Sequence, residues 1–377
     1  MDFDFSEDQR LLRDSVERLI ADRYSFEQRK QIAAEPDGWS RAMWAQFAEM
    51  GLLGLPFEEA HGGFGGGPVE TMIVMEAFGR GLVLEPYLAT VLLGGGLVRH
   101  GGDAAQRADI LPAIANGERL LAFAQAERHS RYDLADVATA ARRERGSWVV
   151  EGRKSLVLHG DVADTLVVAA RTSGLQRDRT GIGLFLVEAA DPNVTRSGVP
   201  TQDGRRVAQI AFAGAKATPL GDPQDGLAVI ERVVDEAIAA LCAEAVGMMA
   251  EMHAITVEYL KTRKQFGRAI GEFQVLQHRS VDMFVALEQA RSMALYATMM
   301  AGEADAAARS RAVSAAKVQI GRSGRAIGQE AVQLHGGIAM TVEYKVGHYF
   351  KRMTMLERTL GDTAYHLSRV AESGSLI

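Results

Sequence analysis

The sequence has a single cysteine, no excess of basic residues and no long apolar run. Each of these features argues against a class of protein. Its single cysteine, Cys242, permits neither an intrachain disulfide nor a zinc site built on cysteines. Lys and Arg total 42 against 48 Asp and Glu, so the net charge of −6 does not indicate a nucleic-acid-binding protein. No run of about 18 apolar residues occurs, which predicts no transmembrane helix.

The first five residues also do not match the pattern of a signal peptide. Residues 1–5 are acidic and have neither the basic nor the apolar region of a signal peptide. Together with the single cysteine, this predicts a cytoplasmic protein. The 377 residues are 47% apolar and 24% charged, which is typical of globular chains and predicts two or three domains.

Three regions differ in the spacing of their apolar residues and predict helical, β and helical domains in that order. Residues 1–118 show helical spacing, and Ser6 followed by Gln9 matches a capping box. Residues 119–222 contain short β-branched runs and predict a β-barrel or sandwich. Residues 223–377 return to helical spacing and are rich in alanine and methionine.

Turn residues divide the β region into strands. The runs 148–150, 156–158, 165–168 and 182–187 predict four strands, and Glu151-Gly152 predicts a turn after the first of them.

Motifs of several other chemistries are absent. The glycine-rich segment 62–67 fits neither the dinucleotide fingerprint nor the phosphate loop and predicts a loop between helices. The histidines show no metal-ligand spacing, so we expect no metal site.

Two segments of the C-terminal region stand out. Residues 259–268 read Tyr-Leu-Lys-Thr-Arg-Lys-Gln-Phe-Gly-Arg, which predicts a helix that ends in cations and stops at Gly267. Residues 331–338 place Gly336 and Gly337 within helical spacing, which costs stability unless backbone or ligand must approach closely there.

In this order, the two motifs resemble the acyl-CoA dehydrogenase family, and the resemblance covers nearly the whole chain. It implies an α+β fold with an N-terminal helical domain, a middle β-barrel and a C-terminal four-helix bundle. It also implies FAD as cofactor, an acyl-CoA thioester as substrate of an α,β-dehydrogenation, and an electron-transferring flavoprotein as acceptor. Within the family, residues 68–80, 275–279 and 347–352 resemble the small subunit of pimeloyl-CoA dehydrogenase.

The resemblance also implies which residues bind the cofactor. In this family the FAD is shared between protomers, and the neighbour contacts its adenine dinucleotide end. The motif positions that carry over as cofactor-binding residues are Arg263, Gln265, Phe266, Gln333, Gly336 and Gly337. Arg263 would meet the pyrophosphate through a charge-assisted contact, and the two glycines would let the backbone approach the ligand.

The positions that would serve the chain's own flavin depart from the family. Ala126 stands where the family has threonine, and Tyr132 where it has serine. Leu158 replaces a threonine whose hydroxyl bonds the flavin edge, and a leucine side chain makes no hydrogen bond.

The usual catalytic glutamate is absent as well. Its position is Leu360, which cannot take a proton, although the backbone N–H there could polarise a thioester. Asp362 is the candidate for a displaced base. Glu357 and Glu236 are weaker candidates, for which a salt bridge or a solvated face is the favoured interpretation.

These departures suggest a non-catalytic small subunit that completes the FAD site of a paralogous large subunit in a hetero-oligomer. The alternatives are an active homo-oligomer with a displaced base and an assembly subunit without flavin contact. A dicarboxyl-CoA substrate would need a cation, which Arg128, His129 or Arg131 could supply, although a surface role is favoured for all three. Steroid and aromatic CoA thioesters are alternative substrates.

Overall fold

The computed structural model describes residues 4–374, so residues 1–3 of the segment behind the signal-peptide prediction lie outside it. The chain forms two compact units. The first, the helical unit, comprises Met1–Gln31, Pro68–Val83 and Ile238–Ile377, and the second, the barrel unit, comprises Ile32–Gly67 and Leu84–Ala237. The domain boundaries at 118 and 222 stay a prediction.

Helices form the N-terminal region, as the apolar spacing predicts. The α-helices are α1 (Glu7–Arg23), α2 (Phe26–Ala33), α3 (Arg41–Glu49), α4 (Pro68–Gly81), α5 (Gly96–Gly101) and α6 (Ala104–Ala115), and a π-helical segment spans Leu88–Gly95. The predicted capping box at the start of α1 is confirmed. The Gln9 backbone N–H donates to the Ser6 hydroxyl over 3.2 Å, and the Ser6 N–H donates to the Gln9 side chain over 3.0 Å.

Seven strands form the β region, three more than the sequence predicts. They are β1 (Leu121–Ala124), β2 (Ala140–Glu144), β3 (Ser147–Leu158), β4 (Thr165–Arg171), β5 (Ile182–Glu188), β6 (Val194–Pro200) and β7 (Arg206–Pro219). Pairing runs β4–β2–β3–β7–β5, and β5 pairs with β4 again. This closed ring is a barrel rather than a sandwich, and its interior is filled by buried side chains such as Leu166, Val168 and Phe185.

The turn predicted at Glu151-Gly152 is wrong, because β3 continues through both residues. The pairing of β3 with β7 shifts register between Val150 and Glu151, which marks a β-bulge. Gly152 has a φ of +148°, and a Cβ there would lie 2.6 Å from the Thr139 hydroxyl. Glycine therefore bends this strand instead of ending it.

The C-terminal region is helical, as predicted. Its helices are α7 (Leu227–Thr262), α8 (Gln274–Ala301), α9 (Ala306–His335), α10 (Lys345–Arg358) and α11 (Thr363–Glu372). Within the helical unit, α8, α10 and α11 all pack on α9. Glycines allow α4 and α7 to approach closely, since a Cβ at Gly79 would lie 2.0 Å from the Glu244 carbonyl oxygen.

A buried ion pair ties α7 to α10. The Arg352 guanidinium donates to both Glu244 carboxylate oxygens over 2.8 Å, and the two side chains are 5% and 0% exposed. Arg352 and Gly79 therefore both contribute to the packing of the helical unit.

Candidate functional site

The first predicted motif forms a tight hairpin rather than a helix end at glycine. Helix α7 ends at Thr262, and strands Lys264–Gln265 and Arg268–Ala269 (β8 and β9) pair antiparallel. Phe266 and Gly267, between the strands, have φ values of +54° and +81°, which matches a two-residue hairpin loop. The predicted helix stop at Gly267 is therefore wrong, because α7 ends at Thr262 and a strand begins at Lys264, three residues before Gly267.

The second motif ends helix α9. The helix stops at His335, and Gly336 follows with a φ of +66°. The glycine pair thus lies just after the helix rather than inside it, where a left-handed conformation favours glycine. A Cβ at Gly336 or Gly337 would meet no atom within 4 Å, so the backbone here is open to an approaching group.

Aromatic packing brings these two motifs together, although about 70 residues separate them. The ring of His335, next to Gly336, lies 4.4 Å from the ring of Tyr259, in the last turn of α7. The Arg263 N–H donates to the Tyr259 carbonyl over 2.8 Å and so begins the hairpin directly beside this pair. We call the resulting face the hairpin–glycine surface; it comprises Arg263, Gln265, Phe266, Gln333, Gly336 and Gly337.

His335 forms a rigid, uncharged support for this surface. Its Nδ1–H donates to the Ala331 carbonyl over 2.8 Å, and Tyr344 packs on its ring at 5.1 Å. Burial lowers the pKa of His335, against the opposing effect of the Ala331 hydrogen bond. The ring is therefore neutral at pH 7 and fixes the start of the glycine pair.

The surface itself is cationic and open. Arg263 and Gln333 are exposed, and the Phe266 side chain is 90% exposed. Arg268 stacks on the Phe273 ring at 4.5 Å. Within residues 4–374, Arg263 forms no ion pair with a carboxylate. Unpaired cations beside an unobstructed backbone suit a phosphate-bearing ligand.

Leu360, the predicted position of the family glutamate, lies in a strained turn between α10 and α11, and we call residues 358–362 the base turn. Leu360 has a φ of +58° and Gly361 of +117°. His366 donates from Nε2 to the Leu360 carbonyl over 3.1 Å, and its Nδ1 accepts from the Ser314 hydroxyl over 3.1 Å. Burial and the nearby Lys317 charge lower the pKa of His366 to about 3, so this ring is neutral.

Lys317 fixes the same turn from helix α9. Its fully buried ammonium donates to the Leu356 carbonyl over 2.6 Å and to the Thr359 carbonyl over 3.0 Å. Burial lowers its pKa to about 8. The carbonyls that end α10 therefore have side-chain partners, and the turn is held on two sides.

The candidate carboxylates near the base turn have structural partners. Asp362 caps helix α11 and accepts the Tyr365 N–H over 2.9 Å. Glu357 accepts from the Thr363 hydroxyl over 3.0 Å and lies 3.4 Å from Arg325. Capping accounts for the presence of an aspartate at position 362 without any role in proton transfer.

Glu236, in the barrel unit, is likewise engaged. Its carboxylate lies 2.6 Å from Arg99 and 3.0 Å from His100. Burial would raise its pKa, but the His100 hydrogen bond and the Arg99 charge lower it overall. The predicted salt bridge is therefore present.

The barrel loop Gln125–Asp133 is built around a buried ion pair. Lys154, with a fully buried side chain, lies 2.8 Å from Glu127 and also donates to the Gln125 carbonyl over 2.9 Å. Burial lowers the pKa of Lys154 to about 8, while Glu127 opposes that shift.

Leu158, half-buried at the end of β3, offers no hydroxyl. His129 lies 3.1 Å from the buried Asp136.

Family profiles for the N-terminal, middle and C-terminal domains of acyl-CoA dehydrogenases match residues 6–118, 122–213 and 224–375. Acyl-CoA dehydrogenase IpdE2 of Mycobacterium tuberculosis is 31% identical over 351 residues, which cover 92% of this chain and 91% of the relative. The chain belongs to the acyl-CoA dehydrogenase family. The predicted family, fold and cofactor FAD are thus confirmed.

Two solved structures show how closely the backbone follows this fold. The ChsE4-ChsE5 complex of Mycobacterium tuberculosis matches with a TM-score of 0.89, and the FAD complex of PigA with 0.91. Each is 24% identical, and each match covers the whole of both chains. These two likenesses support the fold alone.

The residues present fit one end of FAD better than the other. The hairpin–glycine surface offers one exposed cation, Arg263, and an open backbone, which suit the dinucleotide phosphates. Bound FAD would supply the hydride acceptor of an acyl-CoA dehydrogenase. At the positions that would serve the reacting end, Leu158 has no hydroxyl and Leu360 no carboxylate.

Sequence reasoning missed three buried residues that organise these sites. They are Lys154, Lys317 and His366, each fully or almost fully buried. A lysine flanked by small apolar residues, as in Ser314-Ala315-Ala316-Lys317-Val318, could have indicated a buried cation.

Within residues 4–374, no helix is long and apolar enough to span a bilayer.

Proposed function

We propose that this chain is the small subunit of a hetero-oligomeric, FAD-dependent acyl-CoA dehydrogenase that oxidises the α,β-bond of an acyl-CoA thioester. A paralogous large subunit would carry the catalytic glutamate and hold the flavin. This chain would complete the FAD site across the interface through Arg263, Gln265, Phe266, Gln333, Gly336 and Gly337. An electron-transferring flavoprotein would accept the electrons.

The contrast between two positions carries this proposal. Gly336 and Gly337 keep an open backbone beside exposed Arg263, whereas Leu360 occupies a base position that the fold still holds rigidly. A chain that carried out its own chemistry would need a proton acceptor, and the leucine side chain at position 360 cannot serve as one. A pimeloyl-like dicarboxyl-CoA is the substrate class favoured by the sequence.

Two alternatives have less support. An active homo-oligomer would use Asp362 as the base, but that carboxylate already caps α11. An assembly subunit without flavin contact would leave the exposed cation and glycines of the hairpin–glycine surface without a use.

Co-expression tests the proposal. The chain would be purified alone and with a paralogous large subunit, and the visible spectrum would report bound FAD. We expect little flavin in the chain alone, and flavin that bleaches on addition of an acyl-CoA in the complex. An Arg263→Ala variant should lower flavin retention in the complex at least tenfold, while Arg145→Ala, an exposed arginine in the barrel unit, should not. Enzyme-like oxidation of an acyl-CoA by the chain alone would refute the proposal.

A further inference from the structure

A cavity of about 340 Å³ lies within the helical unit, beside the C-terminal ends of helices α1 and α4. Helices α7 and α10 complete its lining. Its apolar wall consists of Ile20, Phe26, Ala77 and Leu82. Two carboxylates and two cations also line it: Glu17, Glu251, Arg80 and Lys345. The cavity therefore presents charges of both signs around an apolar wall.

The Glu17 carboxylate is available to a ligand. Glu17 is exposed, and within residues 4–374 its carboxylate has no ion pair and no hydrogen bond. Ala21, one turn later on the same face of α1, also lines the cavity. Helix α1 ends at Arg23, and the last carbonyl groups of a helix carry partial negative charge. A positively charged group, such as an ammonium, is therefore favoured on this side of the cavity.

The two cations keep donors that the protein does not use. Lys345 lies 2.6 Å from Glu251, which occupies one of the three N–H groups of its ammonium. The Arg80 Nη2 donates to Glu76 over 3.1 Å, but the same Glu76 oxygen also accepts from Arg291 over 3.1 Å. The Arg80 Nε is buried without a hydrogen-bond partner in the described part of the chain. A carboxylate ligand would offer acceptors to both cations.

Buried contacts hold the wall of the cavity in place. Tyr349 is buried and donates its hydroxyl to the Arg80 carbonyl. Arg29, also buried, donates from Nε to the Leu82 carbonyl over 3.0 Å. Leu82 has a φ of +54°, a left-handed conformation that is uncommon for residues other than glycine. Strained backbone persists where the surrounding structure maintains it, and it concentrates at ligand sites. The cavity is therefore preformed and has a second feature of a binding site, independent of its charges.

We infer that this cavity binds a zwitterionic amino acid with an apolar side chain. The ammonium group would contact Glu17, the carboxylate would contact Arg80 and Lys345, and the side chain would pack against the apolar wall. A ligand with only a carboxylate would leave Glu17 without a partner, and one with only an ammonium would leave Arg80 unsatisfied. The inference goes beyond the proposed function, because none of these residues belongs to the hairpin–glycine surface or to the base turn.

Calorimetric titration of the full-length chain tests this inference. The probes are L-leucine, 4-methylpentanoate, which lacks the ammonium group, 3-methylbutylamine, which lacks the carboxylate, and glycine, which lacks the apolar side chain. We expect leucine to bind about tenfold or more tightly than each of the other three, because each of them loses one of the contacts above. Leucine should also raise the unfolding temperature, since it binds only the folded chain.

Two results of this titration would overturn the inference. One is that none of L-leucine, L-valine and L-phenylalanine binds. The other is that 4-methylpentanoate or 3-methylbutylamine binds as tightly as leucine, because the ligand is then not recognised as a zwitterion.

A matched pair of glutamate variants identifies the ammonium contact. Glu17→Gln should weaken leucine binding about tenfold and leave 4-methylpentanoate binding within about twofold, because it removes only the partner of the ammonium. Glu7→Gln, at an exposed carboxylate of the same helix outside the cavity, should change neither affinity. Equal leucine affinity in the two variants would contradict the role of Glu17.

A matched pair of lysine variants identifies the carboxylate contact. Lys345→Gln should weaken leucine and 4-methylpentanoate about tenfold, whereas Lys351→Gln, exposed on the same helix and outside the cavity, should weaken neither. Lys345→Gln also removes the ion pair with Glu251, so 3-methylbutylamine is the control ligand. Its affinity should not fall, and an equal loss for all three ligands would contradict a direct contact between Lys345 and the carboxylate.

Discussion

The hairpin–glycine surface and the base turn belong to the same compact unit but are built in opposite ways. The surface is exposed and open, and its residue types match the family motif. The base turn is held by Lys317 and His366 from buried positions, yet its central side chain is Leu360. The hairpin–glycine surface is exposed and has few buried residues to support it. The base turn is well supported by buried residues but has no carboxylate at its centre.

This difference separates two demands that an active site places on a sequence. Holding a backbone in a strained conformation depends on buried partners, whose loss affects folding. Reacting with a ligand depends on a few side chains, whose loss leaves the fold intact. Changes in the base turn should therefore reduce stability, and changes in the hairpin–glycine surface should reduce ligand binding.

The largest expected effect on stability is at Lys317. Lys317→Ala removes two hydrogen bonds from a charged donor and leaves the carbonyls of Leu356 and Thr359 without them. We expect the free energy of unfolding to fall by about 3 kcal/mol. Lys264→Ala, at the exposed hairpin, should change it by less than about 0.5 kcal/mol. Urea midpoints measure both, and equal midpoints for the two variants would contradict the comparison.

The pH dependence of stability tests His366 at the base turn. The folded state favours the neutral ring, so the unfolded chain takes up a proton first as the pH falls below 6.5. The His366 contribution to the free energy of unfolding should therefore decrease between pH 6.5 and about 3. The limiting slope is about 1.4 kcal/mol per pH unit.

Carboxylates elsewhere also titrate in acid, so the informative quantity is a difference. Urea unfolding of the natural chain and of His366→Gln should be compared at pH 7, 6, 5 and 4. The stability difference between them should shrink steadily as the pH falls. A constant difference would show that His366 is not held neutral.

A smaller effect on stability is expected at Phe266. Its side chain is 90% exposed and its φ is +54°, so Phe266→Gly removes little packing and relieves strain. Glycine also adds freedom to the unfolded chain, and the two effects offset each other to within about 1 kcal/mol. Flavin retention in the complex with a large subunit should nevertheless fall severalfold. A loss of stability with unchanged flavin retention would reverse the proposed roles of the two regions.

The fold was predicted well because helical spacing and capping depend on residues that are close together in the sequence. Ser6 and Gln9 form the predicted box, and the β region closes into a barrel. Gly152 and Gly267 misled the prediction for one reason. Glycine marks unusual backbone angles, but a bulge, a hairpin and a helix end all need them, and only the pairing partners decide among these structures.

Contacts between distant segments explain what the sequence could not supply. The two motifs of the hairpin–glycine surface meet through the packing of Tyr259 against His335, and the base turn depends on Lys317, about 40 residues away. The residues next to His335 and Lys317 in the sequence do not indicate these long-range contacts. The identities at Leu158 and Leu360 were readable in advance only because a family motif predicted other residues there.

The smallest expected effect distinguishes the half-site role from a displaced base. Asp362 accepts the Tyr365 N–H over 2.9 Å as the N-cap of α11. Asparagine caps a helix about as well as aspartate, so Asp362→Asn should leave both stability and the activity of the complex nearly unchanged, whereas Asp362→Ala should cost about 1 kcal/mol. A general base would behave differently, because its loss typically slows a reaction by about 10²–10⁴-fold even when the cap is kept. Urea midpoints and acyl-CoA-dependent flavin bleaching, measured on both variants, separate the two roles, since only a base makes the asparagine variant inactive while it stays stable.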